Sequence, residues 1–205
     1  MSAASLRDRF TFRTASTLTV ASSIAYVSTT KFPDVDVDFE EARQLVLALK
    51  AGDDGAARQC ARIMAKHPLL RGFQGIVTPA PRSTAERKAH LLLARLLVSL
   101  GVGTEAVPLV KRVQPVPSSR ILRQKGLSGV PYETHVETME AEPDASSLTT
   151  PILIVDDVFT RGNTLRASAT VIRQAGFIGE IMGATAGYNL PAPTGDPYKP
   201  TKYVV

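Results

Sequence analysis

The residues with the strongest chemical pattern run Ile152-Leu153-Ile154-Val155-Asp156-Asp157-Val158-Phe159-Thr160-Arg161-Gly162-Asn163-Thr164. Four apolar residues in a row, with no polar alternation, describe a strand buried on both faces. Such a strand delivers Asp156 and Asp157 to its C-terminal edge, where open α/β sheets bind ligands. The turn that follows is small, hydroxyl-bearing and closed by a helix. Helix N-termini present unpaired N–H groups and a positive dipole end, which suits a phosphate. Thr160 and Thr164 add hydroxyl donors, and Gly162 lets the backbone approach closely. A phosphate would be repelled by the adjacent acid pair, so the acids must face another group. Sugar hydroxyls fit, because a carboxylate accepts hydrogen bonds from a vicinal diol.

Charge is the second signal. The 205 residues carry 24 Lys and Arg against 19 Asp and Glu, a formal charge of +5. The excess is local. Lys111, Arg112, Arg120, Arg123 and Lys125 fall in a stretch without acids, and Glu133, Glu137, Glu140, Glu142 and Asp144 follow without Lys or Arg. The basic stretch also holds Pro115, Pro117, Ser118, Ser119 and Gly126, the composition of a mobile loop rather than a recognition helix. With aromatics at 6% and no Trp, a nucleic-acid surface is not favoured. One cysteine excludes an internal disulfide, and no Cys or His spacing forms a zinc motif. No apolar run is long enough to span a bilayer, and a cytoplasmic setting is expected.

Around these residues the chain reads as alternating strands and helices. The first 30 residues are Ser/Thr-rich, with Arg7, Arg9 and Arg13 against Asp8, a composition shared with transit peptides. The alternation in Thr17–Val20 and Ile24–Val27 supports two short strands instead. Asp38 and Glu41 stand at capping-box spacing before a helix with Ala42, Leu45, Val46 and Leu49 on one face. A second helix carries Ala57, Cys60, Ala61 and Met64, which makes Cys60 a core residue. A strand at Gly75–Pro79 follows. Ser83 and Glu86 cap a helix with Leu93, Leu96, Leu97 and Leu100 on one face, ended by Gly101. Further strands are expected at Ala106–Val110, Pro151–Val155 and Glu180–Ala186, with a helix from Thr164 to Gln174. This order predicts an α/β fold with a mostly parallel central sheet flanked by helices. Residues 1–205 are expected to form one domain, with 1–35 as hood strands and 190–205 as an irregular tail. Of the histidines, His67 reads as a surface residue at a helix end and His90 as lying near the polar side of its helix. His135 lies between the basic and acidic stretches. Tyr188 reads as a core or hood tyrosine.

The segment 152–164 resembles the phosphoribosyl pyrophosphate (PRPP) motif of the type I phosphoribosyltransferases: four apolar residues, two acids, two apolar residues and a Thr/Gly turn. Phe159 is larger than usual for that motif, and Arg161 stands where Thr or Ala is common. More loosely, Leu47–Lys50 and Thr78–Pro81 resemble the ComF (competence protein F) branch, over roughly Phe39 to Tyr188. The four-cysteine zinc ribbon of that branch is lacking, and its loop signature is echoed by Arg112, Ser119, Arg120 and Gln124.

The resemblance implies a type I phosphoribosyltransferase fold with a small hood. It implies ribose binding by Asp156 and Asp157, and 5-phosphate binding by Thr160, Arg161, Gly162, Asn163 and Thr164. Pro81, Arg82, Ser83 and Thr84 would form the pyrophosphate loop, and Lys111, Arg112, Arg120, Arg123 and Lys125 a flexible basic loop over PRPP. Mg²⁺ would arrive with PRPP, without a direct protein ligand. The partners implied are PRPP, a nitrogenous base and a second copy in a homodimer. The alternatives are a non-catalytic PRPP or nucleotide sensor and a competence-related DNA-uptake accessory protein.

Overall fold

A computed structural model describes residues 17–27, 35–82, 88–117, 122, 126 and 129–205. Its centre is the predicted apolar strand, β6 (Ile152–Phe159), which continues through both aspartates. Ile152, Leu153, Ile154 and Val155 are fully buried, as a strand covered on both faces must be. Beside it lie β2 (Ile76–Pro79) and β7 (Ile181–Asn189), both parallel. The sheet order is β3-β2-β6-β7-β1-β8, with β3 at Glu105–Ala106, β1 at Thr19–Tyr26 and β8 at Thr201–Val204. Only β8 runs antiparallel, on the edge beyond β1.

Helices cover both faces, as the βαβ pattern requires. One face is covered by α1 (Val37–Ala51), α2 (Asp54–Ala65) and α3 (Lys88–Ser99). There Leu153 and Val155 pack with Val46, Leu49, Cys60, Met64, Leu93 and Leu97. On the other face, Ile152 and Ile154 share a core with Leu165 and Ile172 of α5 (Asn163–Gln174). Successive side chains of a strand point to opposite faces, so β6 feeds both cores alternately. Between the basic and acidic stretches, β4 (Val110–Arg112) and β5 (Met139–Ala141) form a separate antiparallel pair beside α4 (Tyr132–Glu137).

Several sequence expectations change. The hood strands expected in residues 1–35 are, over Thr19–Tyr26, one continuous strand inside the main sheet. Its polar residues hid this: Ser22 is buried, and its hydroxyl bonds Thr185 Oγ1 on β7 at 2.6 Å. The irregular tail expected at 190–205 ends in strand β8, whose Tyr203 stacks on Phe159 at 4.7 Å between ring centroids. The strand expected at Ala106–Val110 is split between the two sheets. Pro108 lies at the break and has no N–H to offer a ladder. The cap of α1 is Asp36, which accepts from Phe39 N at 3.0 Å, two residues before the expected Asp38. Lys111 and Arg112 lie on β4 rather than in a mobile loop, held by the ladder to Glu140 and Met139. Lys111 also reaches Glu142 at 3.6 Å. Arg120, Arg123, Lys125, Ser83, Thr84 and the Ser83/Glu86 cap lie outside the described residues.

Candidate active site

The end of β6 opens into a cleft of about 260 Å³. Asp156, Thr160, Arg161, Gly162, Asn163 and Thr164 line it, together with His135 and Asn189. The fold brings the acid and the whole turn together because α5 starts where β6 stops. Gly162 makes that junction. It is the N-cap of α5 with φ 70° and ψ 7°, a left-handed conformation that L side chains rarely adopt. A Cβ there would stand 2.9 Å from a Phe159 ring carbon. A glycine cap has no side chain to cover the first-turn amides, so none of them is taken by a cap. Those N–H groups and the dipole end suit an anion. Thr160 and Arg161 are exposed at the rim. The Asn163 amide does something else: Nδ2 donates to Val130 O at 3.1 Å and ties the 129–130 segment to the helix start.

The two aspartates divide their labour. By strand alternation, Asp156 shares the face of Ile154 and α5, while Asp157 shares the face of Val155 and the α1–α3 layer. Asp156 Oδ1 accepts from the Asp157 N–H at 2.8 Å. Burial and the neighbouring Asp157 charge push Asp156 up, to about 6. Asp157 is held below the usual carboxylate range: burial acts against this, but His90 and the positive charges of Lys50 and Arg82 outweigh it.

His90 was not expected in this cluster. It is 4% exposed, its Nδ1 bonds Ala80 O at 2.9 Å, and its Nε2 points to Asp157 Oδ2 at 3.5 Å and Asp156 Oδ1 at 3.7 Å. Burial lowers the affinity of His90 for a proton. The two carboxylates more than offset it, and the net shift is upward. The polar side of α3 does not face solvent here but the ends of β2 and β6. The register Pro79↔Val155 sets the chain after β2 beside the acids. A polar residue early in the helix after β2 was the available signal, legible only once β2 and β6 were known to be neighbours.

The expected pyrophosphate loop is described only at Pro81 and Arg82. Arg82 donates from its guanidinium to Lys50 O at 2.9 Å, at the C-terminal end of α1. Its own carbonyl accepts from Arg112 Nε at 2.7 Å. Arg112 further donates to Thr138 Oγ1 at 2.6 Å and meets His135 Nδ1 at 3.1 Å. It therefore fastens the segment after β2 to β4 and α4. His135 is buried, and burial followed by the Arg112 charge lowers it to about 4. It is neutral near pH 7, with Nδ1 free to accept from Arg112. His67, read as a surface residue, is buried instead and bonded to Thr201 O. Tyr188 is in the core, edge-on to Tyr203 at 5.6 Å. Among the described residues no helix is long and apolar enough to cross a membrane.

No protein-family model matches the chain. It is 33% identical over 111 residues to an adenine phosphoribosyltransferase of Vibrio cholerae, covering 54% of this chain and 56% of that one. It is 30% identical over 129 residues to an adenine phosphoribosyltransferase of Shewanella oneidensis, covering 63% and 62%. The chain thus spans between a half and two thirds of the length of these curated relatives. A solved adenine phosphoribosyltransferase of Saccharomyces cerevisiae, complexed with an imino-altritol bisphosphate and adenine, superposes with a TM-score of 0.40 at 15% identity, over 67% of this chain and 69% of that one. These curated relatives carry the name adenine phosphoribosyltransferase, and the chain is similar to them in sequence.

Proposed function

We propose that the protein is a phosphoribosyltransferase that binds Mg²⁺–PRPP and transfers the 5-phosphoribosyl group to a nitrogenous base, releasing pyrophosphate. One observation carries the reading. Asp156 and the uncapped N-terminus of α5 line one cleft, so a hydroxyl acceptor and a phosphate cradle sit within a single small ligand's reach. In the proposed mechanism the first-turn amides of α5, with Thr160 and Thr164, hold the 5-phosphate. Asp156 accepts from the ribose hydroxyls. Asp157, one residue on, fixes the Asp156 carboxylate through its own N–H. As pyrophosphate leaves, positive charge develops at the sugar, and the nearby carboxylates favour that charge.

The half-buried carboxylate pair is an oxygen donor set that fits Mg²⁺, held through PRPP and water rather than directly. When bound, the ion supplies neutralisation of the leaving pyrophosphate. Arg120, Arg123 and Lys125 complete the basic loop in this reading, with Lys111 and Arg112 as its fixed strand base. Ser83 and Thr84 continue the pyrophosphate loop from Pro81 and Arg82. The ComF-like placement rests on the sequence resemblance alone. Adenine is the first base to try, because the curated relatives carry that name. The same reading carries a cytoplasmic setting and a homodimer.

Calorimetric titration of the protein with PRPP and Mg²⁺ tests binding, and pyrophosphate release over a panel of purine and pyrimidine bases tests turnover. Binding and release with one base are expected. No PRPP binding overturns the proposal. PRPP binding without release from any base overturns catalysis and favours a PRPP sensor.

A further inference from the structure

His90 is arranged as a ligand without a partner. It is 4% exposed, and its Nε2 is buried with no hydrogen bond. Nδ1 lies 2.9 Å from Ala80 O. A carbonyl only accepts, so Nδ1 carries a proton in either charge state, and an ion that displaces the Nε2 proton finds the Nε2 lone pair aimed at the acids. Metal-bound histidines are oriented in the same way, by a carbonyl or carboxylate on the far ring nitrogen.

The distances argue in the same direction. Nε2 stands 3.5 Å from Asp157 Oδ2 and 3.7 Å from Asp156 Oδ1, beyond the range of a good hydrogen bond. Donor atoms bound to one ion at about 2.1 Å lie about 3.0 Å apart at right angles and about 3.4 Å apart at the tetrahedral angle. The three donors, all within 4.8 Å of one another, need only a small inward adjustment to share an ion. Two carboxylates converging on one point repel each other, and a positive charge at that point, the Nε2 proton or a metal ion in its place, relieves the repulsion. The frame is rigid: Val155 of β6 and Leu93 of α3 are both fully buried beside it.

We propose that His90 Nε2, Asp156 and Asp157 directly bind one divalent cation of the borderline class, Co²⁺ or Zn²⁺, without any PRPP. An imidazole nitrogen beside carboxylates suits these ions better than Mg²⁺, which takes oxygen and keeps its water. This ion uses the same two carboxylates as one carried in by a pyrophosphate but is held directly, with His90, and needs no PRPP.

The test titrates the full chain, stripped with chelator, with CoCl₂ alone. Binding of one Co²⁺ per chain is expected, with visible d–d bands of nitrogen–oxygen coordination. His90→Gln and Asp157→Asn should each weaken it at least about tenfold. A variant-free reading follows the histidine ¹⁵N resonances of the native chain on adding Zn²⁺, which should shift His90 Nε2 and leave Nδ1 protonated. Wild type that takes no Co²⁺, equal Co²⁺ binding by wild type and His90→Gln, or an unmoved His90 Nε2 signal overturns the site. Complete displacement of Co²⁺ by equimolar Mg²⁺ overturns the nitrogen ligand. PRPP titration of the same samples keeps the two readings separate, because either can fail while the other holds.

Discussion

Asp156 and Asp157 are neighbours in sequence and serve different faces of one strand. Both carboxylates come within 3.7 Å of His90 Nε2, but Asp156 also lines the cleft and Asp157 does not. Asp156→Asn is therefore expected to weaken PRPP binding at least about tenfold, the scale of one charged hydrogen bond. Asp157→Asn should weaken it less. Calorimetry on both variants decides this, and equal losses would sink the division. Gly162 makes a second residue-scale prediction. Gly162→Ala forces a left-handed alanine whose Cβ meets the Phe159 ring, and should cost about 1–2 kcal/mol in urea denaturation. Where the turn shifts to make room, the first-turn amides of α5 should also lose phosphate affinity.

At the scale of elements, Arg112 fastens the small β4–β5 sheet to the segment after β2. Arg112 reaches Arg82 O, Thr138 Oγ1 and His135 Nδ1 at once. Arg112→Ala leaves those acceptors unpaired and should destabilise the protein by about 2–3 kcal/mol, measured by urea denaturation. Arg112→Lys should recover little, because one ammonium cannot span three separated acceptors. Full stability in the lysine variant would show that the fork does not matter. His135, under the same strut, gives the pH prediction. Its folded value of about 4 lies below the ordinary 6.5. Between these values the unfolded chain binds a proton that the folded chain refuses, so stability falls as pH drops from 6.5 toward 4. The loss attributable to His135 is on the order of 2–3 kcal/mol. His135→Asn keeps an acceptor for Arg112 and should flatten that part of the curve. An unchanged slope would show that His135 is protonated when folded.

At the scale of the molecule, the two cores on either side of the sheet keep Cys60 out of reach. It is fully buried, and burial pushes its thiol up to about 12. Reaction with a thiol-specific disulfide reagent should proceed only at the rate of global unfolding. Fast labelling under native conditions would mean that α2 opens on its own. The same two cores were already legible as apolar patterns. The Ile152–Val155 run, the Leu93 and Leu97 face and the Cys60 and Met64 face all found their places, because burying apolar surface is the dominant driving force.

What the sequence determined by itself was local and periodic. It set the apolar strand, the two acids at its edge, the glycine turn and the helix that follows. Each of these depends on residues within a few positions of one another. Only the tertiary structure decided pairings across long separations. Polar Ser22 is a core residue because Thr185, 163 residues away, completes its hydrogen bond. Lys111 and Arg112 are strand residues because the acidic stretch returns beside them. His90 belongs with the acids because β2 and β6 are adjacent, and no spacing along the chain encodes that adjacency. A polar side chain is assigned by the partner that satisfies it, and that partner exists only after the chain has folded.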